Sequence, residues 1–267
     1  MSVFKDIPNL HTHTKLCKHA AGVPEEYCAE AEKVSNILGF SDHCPFPDGR
    51  YGKERMEFSE LKHYCQLIEQ ASEKYPGMQL LAGAEVEWCN DMGRNFYNEV
   101  LLGEFNLDYL VGSAHYSGFD LGNQEHFFYQ QPSPDVTRDF VDVTLKLIES
   151  GIFTYIAHPD AFMVPYTEVT KEHESMFREI ISAAVQYDVP LEINAGGVRT
   201  KRSYPNRVFW EIASEYPTLK TVVNADAHTP EQLYNEDHSK ALNIALDLKL
   251  NICNLSVAQN IIKGKKK

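Results

Sequence analysis

The sequence predicts an α/β fold whose parallel sheet closes, or nearly closes, into a barrel. Two observations predict it: short apolar runs alternate with longer stretches of helical spacing, and metal-capable side chains fall at the carboxyl ends of those runs. The runs occupy residues 8–14, 37–43, 80–87, 107–115, 153–158, 189–194 and 221–226. Each has strand length and is bounded by Gly, Pro, Asn or Asp, which reads as a buried parallel strand. Between them, residues 25–34, 57–75, 135–150, 172–187 and 206–216 repeat apolar positions at helical intervals. Such alternation builds an α/β layer structure. Seven candidate strands suggest a barrel one unit short of the common eight, with an open doubly wound sheet as the alternative. Residues 90–106 and 118–134 follow neither period and read as loops. With no repeat, low-complexity tract or linker, residues 1–267 read as one domain, a size that α/β barrels reach as a single unit.

Composition narrows the function. Hydrophobic residues make up 43% of the chain, enough for a substantial core, and no apolar run has the length needed to span a bilayer. The N-terminal stretch lacks the apolar segment of a secretory signal, so the expected location is cytoplasmic, without membrane attachment. A net charge of −13 argues against a partner such as extended nucleic acid, which is gripped by a broad basic face. A small anionic substrate is compatible if bound metal ions supply local positive charge. The closing G-K-K-K reads as a solvated tail. Six cysteines show no C-x-x-C spacing and read as reduced thiols. Cys17 and Cys44 stand beside candidate ligands and are alternatives as thiolate donors, though the imidazole and carboxylate set is large enough without them.

The chemistry lies where the donors fall. His11 and His13 end the first run, in L-H-T-H-T; His43 ends the second, in S-D-H; and Glu85 lies in the third, in G-A-E. His115 ends the fourth run and His158 the fifth, while Asp226 and His228 mark the end of the last, in N-A-D-A-H. In parallel α/β folds the carboxyl ends of the strands form one rim, where distant positions converge. With His19, in the loop after the first run, seven of the eleven histidines join this set. His63, His126, His173 and His238 fall in helices or loops and read as solvated or structural. H-x-H and D-x-H put both side chains on one strand face, about 6.5 Å apart. Nine donors exceed the needs of one tetrahedral zinc and suit two or three ions, with a carboxylate as the bridge. Zinc, iron and manganese all suit imidazole-rich sites. Such ions activate water near neutral pH and neutralise phosphoryl oxygens, which points to hydrolysis of a phosphate ester.

At this point the residues resemble the PHP superfamily, named for polymerase and histidinol phosphatase domains. The matching pieces are H-T-H-T at 11–14 with His19, S-D-H at 41–43, G-A-E at 83–85, S-A-H at 113–115, A-H-P-D at 157–160 and D-A-H at 226–228. They stand in the family's order and cover nearly the whole chain. The resemblance implies a distorted (β/α)7 barrel with a trinuclear site at the carboxyl ends of the strands. It implies that His11, His13, Glu85 and Asp226 hold one divalent metal ion. Glu85, His115 and His158 would hold a second, and His19, His43 and His228 a third. Glu85 would be the bridge, with Glu87, on the same strand face, its rival.

Within the superfamily, H-T-H-T-K-L-C-K-H-A, S-D-H-C-P and E-I-N-A-G-G-V-R look most like the stand-alone histidinol-phosphate phosphatases. The expected reaction is hydrolysis of L-histidinol phosphate to L-histidinol and phosphate, a step in histidine biosynthesis. Arg199 matches a position where that group often has a basic residue and would clamp the phosphate. Arg55 and Arg202 are further candidates for phosphate contact. Asp226 and His228 are candidate proton relays. Several relatives carry Asn-Thr-Ala-Gly where this chain has Asn194-Ala195-Gly196-Gly197. The aromatic stretch His126-Phe127-Phe128-Tyr129 reads as packing, with contact to the organic part of a substrate as the alternative. Rival readings are a PHP phosphoesterase acting on a nucleotide, a nucleic-acid end or phosphotyrosine, and a metal-binding module without catalysis.

Overall fold

A computed structural model describes residues 4–116 and 126–254. Seven parallel strands pair in chain order: β1 (Ile37–Phe40), β2 (Gln79–Val86), β3 (Tyr109–Gly112), β4 (Tyr155–Ile156), β5 (Leu191–Asn194), β6 (Lys220–Asn224) and β7 (Asn251–Ile252). The sheet curls into a distorted (β/α)7 barrel with helices outside it. The strand order, unbroken from β1 to β7, replaces the doubly wound alternative, in which the order would reverse.

Strand membership departs from expectation at both ends of the chain. The run at 8–14 makes no ladder. It touches β1 through a single bridge, Asn9 to Leu38, and meets the chain beyond β6 through another, Thr12 to Ala227. Side chains complete the join, because Asn224 Oδ1 accepts from Leu10 N at 2.8 Å and Asn9 Oδ1 accepts from Ala225 N at 2.6 Å. Two asparagines thus stand in for missing ladder bonds and satisfy backbone donors that burial would otherwise leave unpaired. The remaining strand, β7, is only two residues long and borders β6 at Lys220 and Thr221.

Side chains alternate across the barrel wall, as strand geometry requires. Ile37, Leu81, Tyr109, Val111, Tyr155 and Val222 form an inner cluster, while Leu38, Phe40, Ala84, Leu110, Ile156 and Val223 pack outward under the helices. The inner cluster fills the lower barrel. Tyr109 crosses it, its hydroxyl 2.8 Å from the Leu10 carbonyl and 3.0 Å from that of Phe40. Gly39 and Gly83 make room for this ring, since a Cβ at either would collide with it.

Helices α1 (Pro24–Ala31), α2 (Leu61–Lys74), α4 (Pro134–Glu149), α5 (Lys171–Gln186) and α7 (Arg207–Ala213) follow the predicted segments. α2 shows the mechanism: Leu61, Tyr64, Ile68 and Ala71 recur at helical intervals and are all buried. Further helical pieces lie outside the predicted segments. Residues 90–106, expected as a loop, contain α3 (Gly93–Asn95) running into a π-helix (Phe96–Glu104) that buries Phe96, Tyr97 and Leu101. α6 (Ala195–Arg199) starts directly from β5, and α8 (Glu236–Asp247) is capped by Asn235. Of the stretch 118–134, residues 126–134 are described and include a 3₁₀ turn, Phe127–Tyr129. The G-K-K-K tail lies outside the described residues. Among those described, no helix is long and apolar enough to cross a membrane.

Candidate metal centre

The inward-facing register that places Tyr109 and Val111 low in the barrel carries their strand on to Ser113 and His115 at the rim. The same alternation lifts Glu85 above Leu81 and Gly83, and Glu192 and Asn194 along β5. All nine predicted donors meet there.

Glu85 is the centre of the cluster. Its Oε2 lies 3.0 Å from His43 Nδ1, 3.4 Å from His11 Nε2 and 3.5 Å from His13 Nε2. Its Oε1 lies 3.2 Å from His158 Nε2 and 3.4 Å from His115 Nε2, and accepts from Ser113 Oγ at 2.5 Å. One carboxylate therefore faces two separate histidine groups. Asp226 Oδ1 stands 3.3 Å from His13 Nε2 and 3.5 Å from His228 Nδ1. His19 and His228 point their Nε2 atoms at each other across 3.1 Å. Backbone strain accompanies this convergence, since His158 (φ 31°) and Asp226 (φ 47°) both adopt left-handed conformations.

The donors fit metal ions. His11 Nε2, His13 Nε2 and His43 Nδ1 are buried and have no hydrogen-bond partner, although each faces a carboxylate. Two imidazoles aiming Nε2 at one another require a proton or a cation between them. Groups such as His11–His13–Glu85, Glu85–His115–His158 and His13–His43–His228 each bring three ligand atoms within 4.8 Å of one another. The opposite ring nitrogens are held in place: Glu192 Oε1 lies 2.7 Å from His11 Nδ1, and Glu87 Oε1 lies 2.9 Å from His115 Nδ1. Carboxylates at these positions set the tautomer and increase ligand basicity. Burial alone would raise Glu85, but His115, His11 and His43 hold it well below the usual carboxylate range. Burial would likewise raise Asp226, and His11, His13 and His228 outweigh it. Both are therefore anions ready to bind cations.

A cavity of about 480 Å³ opens over the cluster. Arg199, Arg202, Tyr204, His126, Phe128 and Glu54 contribute to its walls. Arg199 reaches the rim from α6 and donates to the backbone carbonyls of Ala225 at 3.1 Å and Asp226 at 2.6 Å. The Arg202 guanidinium lies over the Phe128 ring, 4.5 Å from its centre.

Arg55 is a correction. Its side chain is buried, donates to Glu87 and to the Cys44 carbonyl, and takes no part in the cavity wall, so it is not available to a substrate. Glu87 shares its strand face with Glu85 but is committed to Arg55 and His115. Its contact with His115 Nδ1 orients that ring. His126, expected to be solvated or structural, lines the cavity, as do Phe128 and Tyr129, while Phe127 packs into the core. His63 is exposed, and His173 and His238 are buried away from the cluster. Cys44 donates to the Pro45 carbonyl, and Cys17 bonds to Asp42.

Sequence reasoning missed Glu192, Ser113 and Asp42. Glu192 had a signal, an acid inside an apolar strand run, where a charge persists only with partners. His11 Nδ1, Asn194 Nδ2, Asn224 Nδ2 and the His158 amide provide them.

Comparison with known proteins agrees with this geometry. A Deinococcus radiodurans protein named a probable histidinol-phosphatase is 28% identical over 237 residues, covering 84% of this chain and 86% of that relative. A Schizosaccharomyces pombe protein of the same name is 24% identical over 84% of this chain and 81% of its own length. In fold, the chain is similar to a Lactococcus lactis histidinol phosphate phosphatase solved with zinc, L-histidinol and phosphate. That match has a TM-score of 0.69 and 18% identity, covering 92% of this chain and 95% of the other. Residues 9–196 match the PHP domain, well over half of the sequence and most of the donor set, and the chain belongs to the PHP domain family.

Proposed function

We propose that the protein is a metal-dependent phosphoric monoester hydrolase that converts L-histidinol phosphate to L-histidinol and phosphate. The observation that carries this reading is a nine-donor cluster, centred on Glu85, beneath a cavity walled by two arginines and by aromatic side chains. The names of the two curated relatives and the ligands of the L. lactis neighbour support the choice of substrate.

Three divalent ions fit the donor count. His11, His13, Glu85 and Asp226 would hold one, Glu85 with His115 and His158 a second, and His19, His43 and His228 a third. Zinc is favoured by the neighbour's ligand, with iron and manganese as alternatives for so imidazole-rich a set. When bound, such ions supply an activated water near neutral pH and offset charge on phosphoryl oxygens. The chain's own residues do the rest. Arg199 and Arg202 bind and orient the phosphate by charge-assisted hydrogen bonds. Asp226, an anion at the cavity floor beside His228, takes up the proton that the attacking water sheds and passes it to the departing alkoxide. Burial and the neighbouring His115 lower His126 to about 3, so its ring is neutral and can pack, with Phe128, against the organic part of the substrate. A single domain is supported by the one sheet on which the helices pack, and a reducing, cytoplasmic setting by six free cysteines.

Metal-loaded protein offered L-histidinol phosphate, mononucleotides, phosphotyrosine and an aryl phosphate tests the reading. L-Histidinol phosphate should lead in kcat/KM by at least about tenfold, or about 1.4 kcal/mol of transition-state binding. A nucleotide or phosphotyrosine in first place would overturn the assignment, and a metal content near one ion per chain would overturn the trinuclear site.

A further inference from the structure

Two of the cluster histidines hold their outer nitrogen on a carboxylate, His11 on Glu192 and His115 on Glu87. His13 differs. Its Nδ1 lies 3.2 Å from a sulfur, Cys17 Sγ, and that sulfur lies 2.9 Å from Asp42 Oδ1. All three residues are buried.

Hydrogen-bond accounting fixes the direction of each bond. Asp42 Oδ1 accepts from the Thr14 amide at 2.5 Å, and Oδ2 accepts from Thr14 Oγ1 at 2.6 Å. A carboxylate ringed by donors is an acceptor, so the single thiol hydrogen points to Asp42. The sulfur then has only lone pairs for its other neighbours, His13 Nδ1 and the His43 amide, the latter also at 3.2 Å. His13 must carry its proton on Nδ1. Its Nε2 is left as a lone pair, and this is the buried nitrogen without a hydrogen-bond partner, 3.3 Å from Asp226 Oδ1 and 3.5 Å from Glu85 Oε2.

We propose that Cys17 is a positioning residue for the metal centre, the middle of an Asp42–Cys17–His13 relay that fixes the tautomer and ring orientation of His13. The inference rests on the metal-dependent reading above. The sulfur lies on the outer side of the His13 ring, away from the donors around Glu85, so Cys17 acts through His13 rather than as a thiolate ligand. Its second bond, from the His43 amide, ties the backbone of another candidate ligand to the same atom.

The test is zinc affinity, measured by competition with a chromophoric chelator on the full chain, for wild type, Cys17→Ala and Cys17→Ser. Cys17→Ala should weaken zinc binding by about 10–100-fold, the usual effect of removing a partner behind a ligand. Cys17→Ser keeps a donor and acceptor in place and should weaken it less. Unchanged affinity in Cys17→Ala overturns the relay, and so does a serine variant as weak as the alanine one. If the alanine variant does not fold, ¹⁵N spectra of wild-type imidazoles decide: zinc-loaded His13 should carry its proton on Nδ1, and a bare Nδ1 refutes the proposal. Wild type that takes up no zinc would overturn the metal reading and the relay together, whereas the other failures strike the relay alone.

Discussion

Arg55 and Glu87 form a two-pronged ion pair inside the protein. Guanidinium Nη1 and Nη2 stand 3.1 and 3.0 Å from Glu87 Oε2 and Oε1, and the two residues are only 1% and 5% exposed. Glu87 Oε1 also holds His115 Nδ1, so the arginine acts on the metal centre from behind, through two other side chains. Burial would raise the Glu87 carboxyl, and Arg55 and His115 together hold it well below the usual range. Arg55→Ala would leave that charge buried with one partner gone. Breaking such a pair costs about 3–5 kcal/mol, more than its formation contributes, because the remaining ion stays desolvated. Urea unfolding of metal-free protein should show a loss of this size. A loss under about 1 kcal/mol would mean that water reaches Glu87 and the pair is not structural.

The two arginines of the cavity wall should separate in kinetics. Arg199 donates to the carbonyls of Ala225 and Asp226, so it braces the strained turn that carries Asp226 and His228 as well as lining the cavity. Arg199→Ala should lower kcat and kcat/KM by about 10–100-fold, from loss of charged hydrogen bonds worth about 1.5–3 kcal/mol. Arg202 rests on Phe128 and braces no candidate ligand. Arg202→Ala should chiefly raise KM and leave kcat near wild type. Steady-state kinetics with L-histidinol phosphate check both, and equal losses of kcat would show that Arg202 too acts in the transition state.

Which features could be read from sequence follows from how local their causes are. The histidines of S-D-H, S-A-H and A-H-P-D could be placed because a strand end in a parallel sheet points to one rim whatever the rest of the chain does, and those of H-T-H-T because their run, though it makes no ladder, bridges to the sheet in the same direction. Glu85 could be placed for the same reason. Arg55 could not, because a long cation carries no direction until its partner is known, and Glu87 lies 32 residues away. The edge of the sheet was hidden differently. Asn9 and Asn224 lie inside runs that read as strands, yet their side chains replace ladder bonds between segments more than 200 residues apart. β7 has two residues, too few for any period. The π-helix at Phe96–Glu104 winds away from the 3.6-residue repeat, so its buried Phe96, Tyr97 and Leu101 matched no helical template.

His238, which is outside the cavity lining and the donor cluster, provides a pH test. Its Nε2 lies 3.4 Å from the Val223 carbonyl, so that nitrogen carries the proton, and its Nδ1 is buried without a partner. Phe4 and Tyr234 pack against the ring, with centroids 4.5 and 5.5 Å away. Protonation would place an unpaired N–H and a charge among these rings, and burial accordingly lowers the imidazole from 6.5 to about 4. In the unfolded chain it titrates near its ordinary value. Between these two values the unfolded state binds the proton and the folded state does not, so stability falls as pH drops from about 6.5 toward 4 and levels off below. The full effect is at most about 3 kcal/mol. His238→Gln keeps a donor for Val223 and cannot titrate. Urea unfolding of both proteins at several pH values isolates the residue, because every other group titrates in both. The stability advantage of wild type over the variant should shrink as pH falls through this window, and a constant difference would show that His238 takes up its proton in the folded protein as readily as in the unfolded chain.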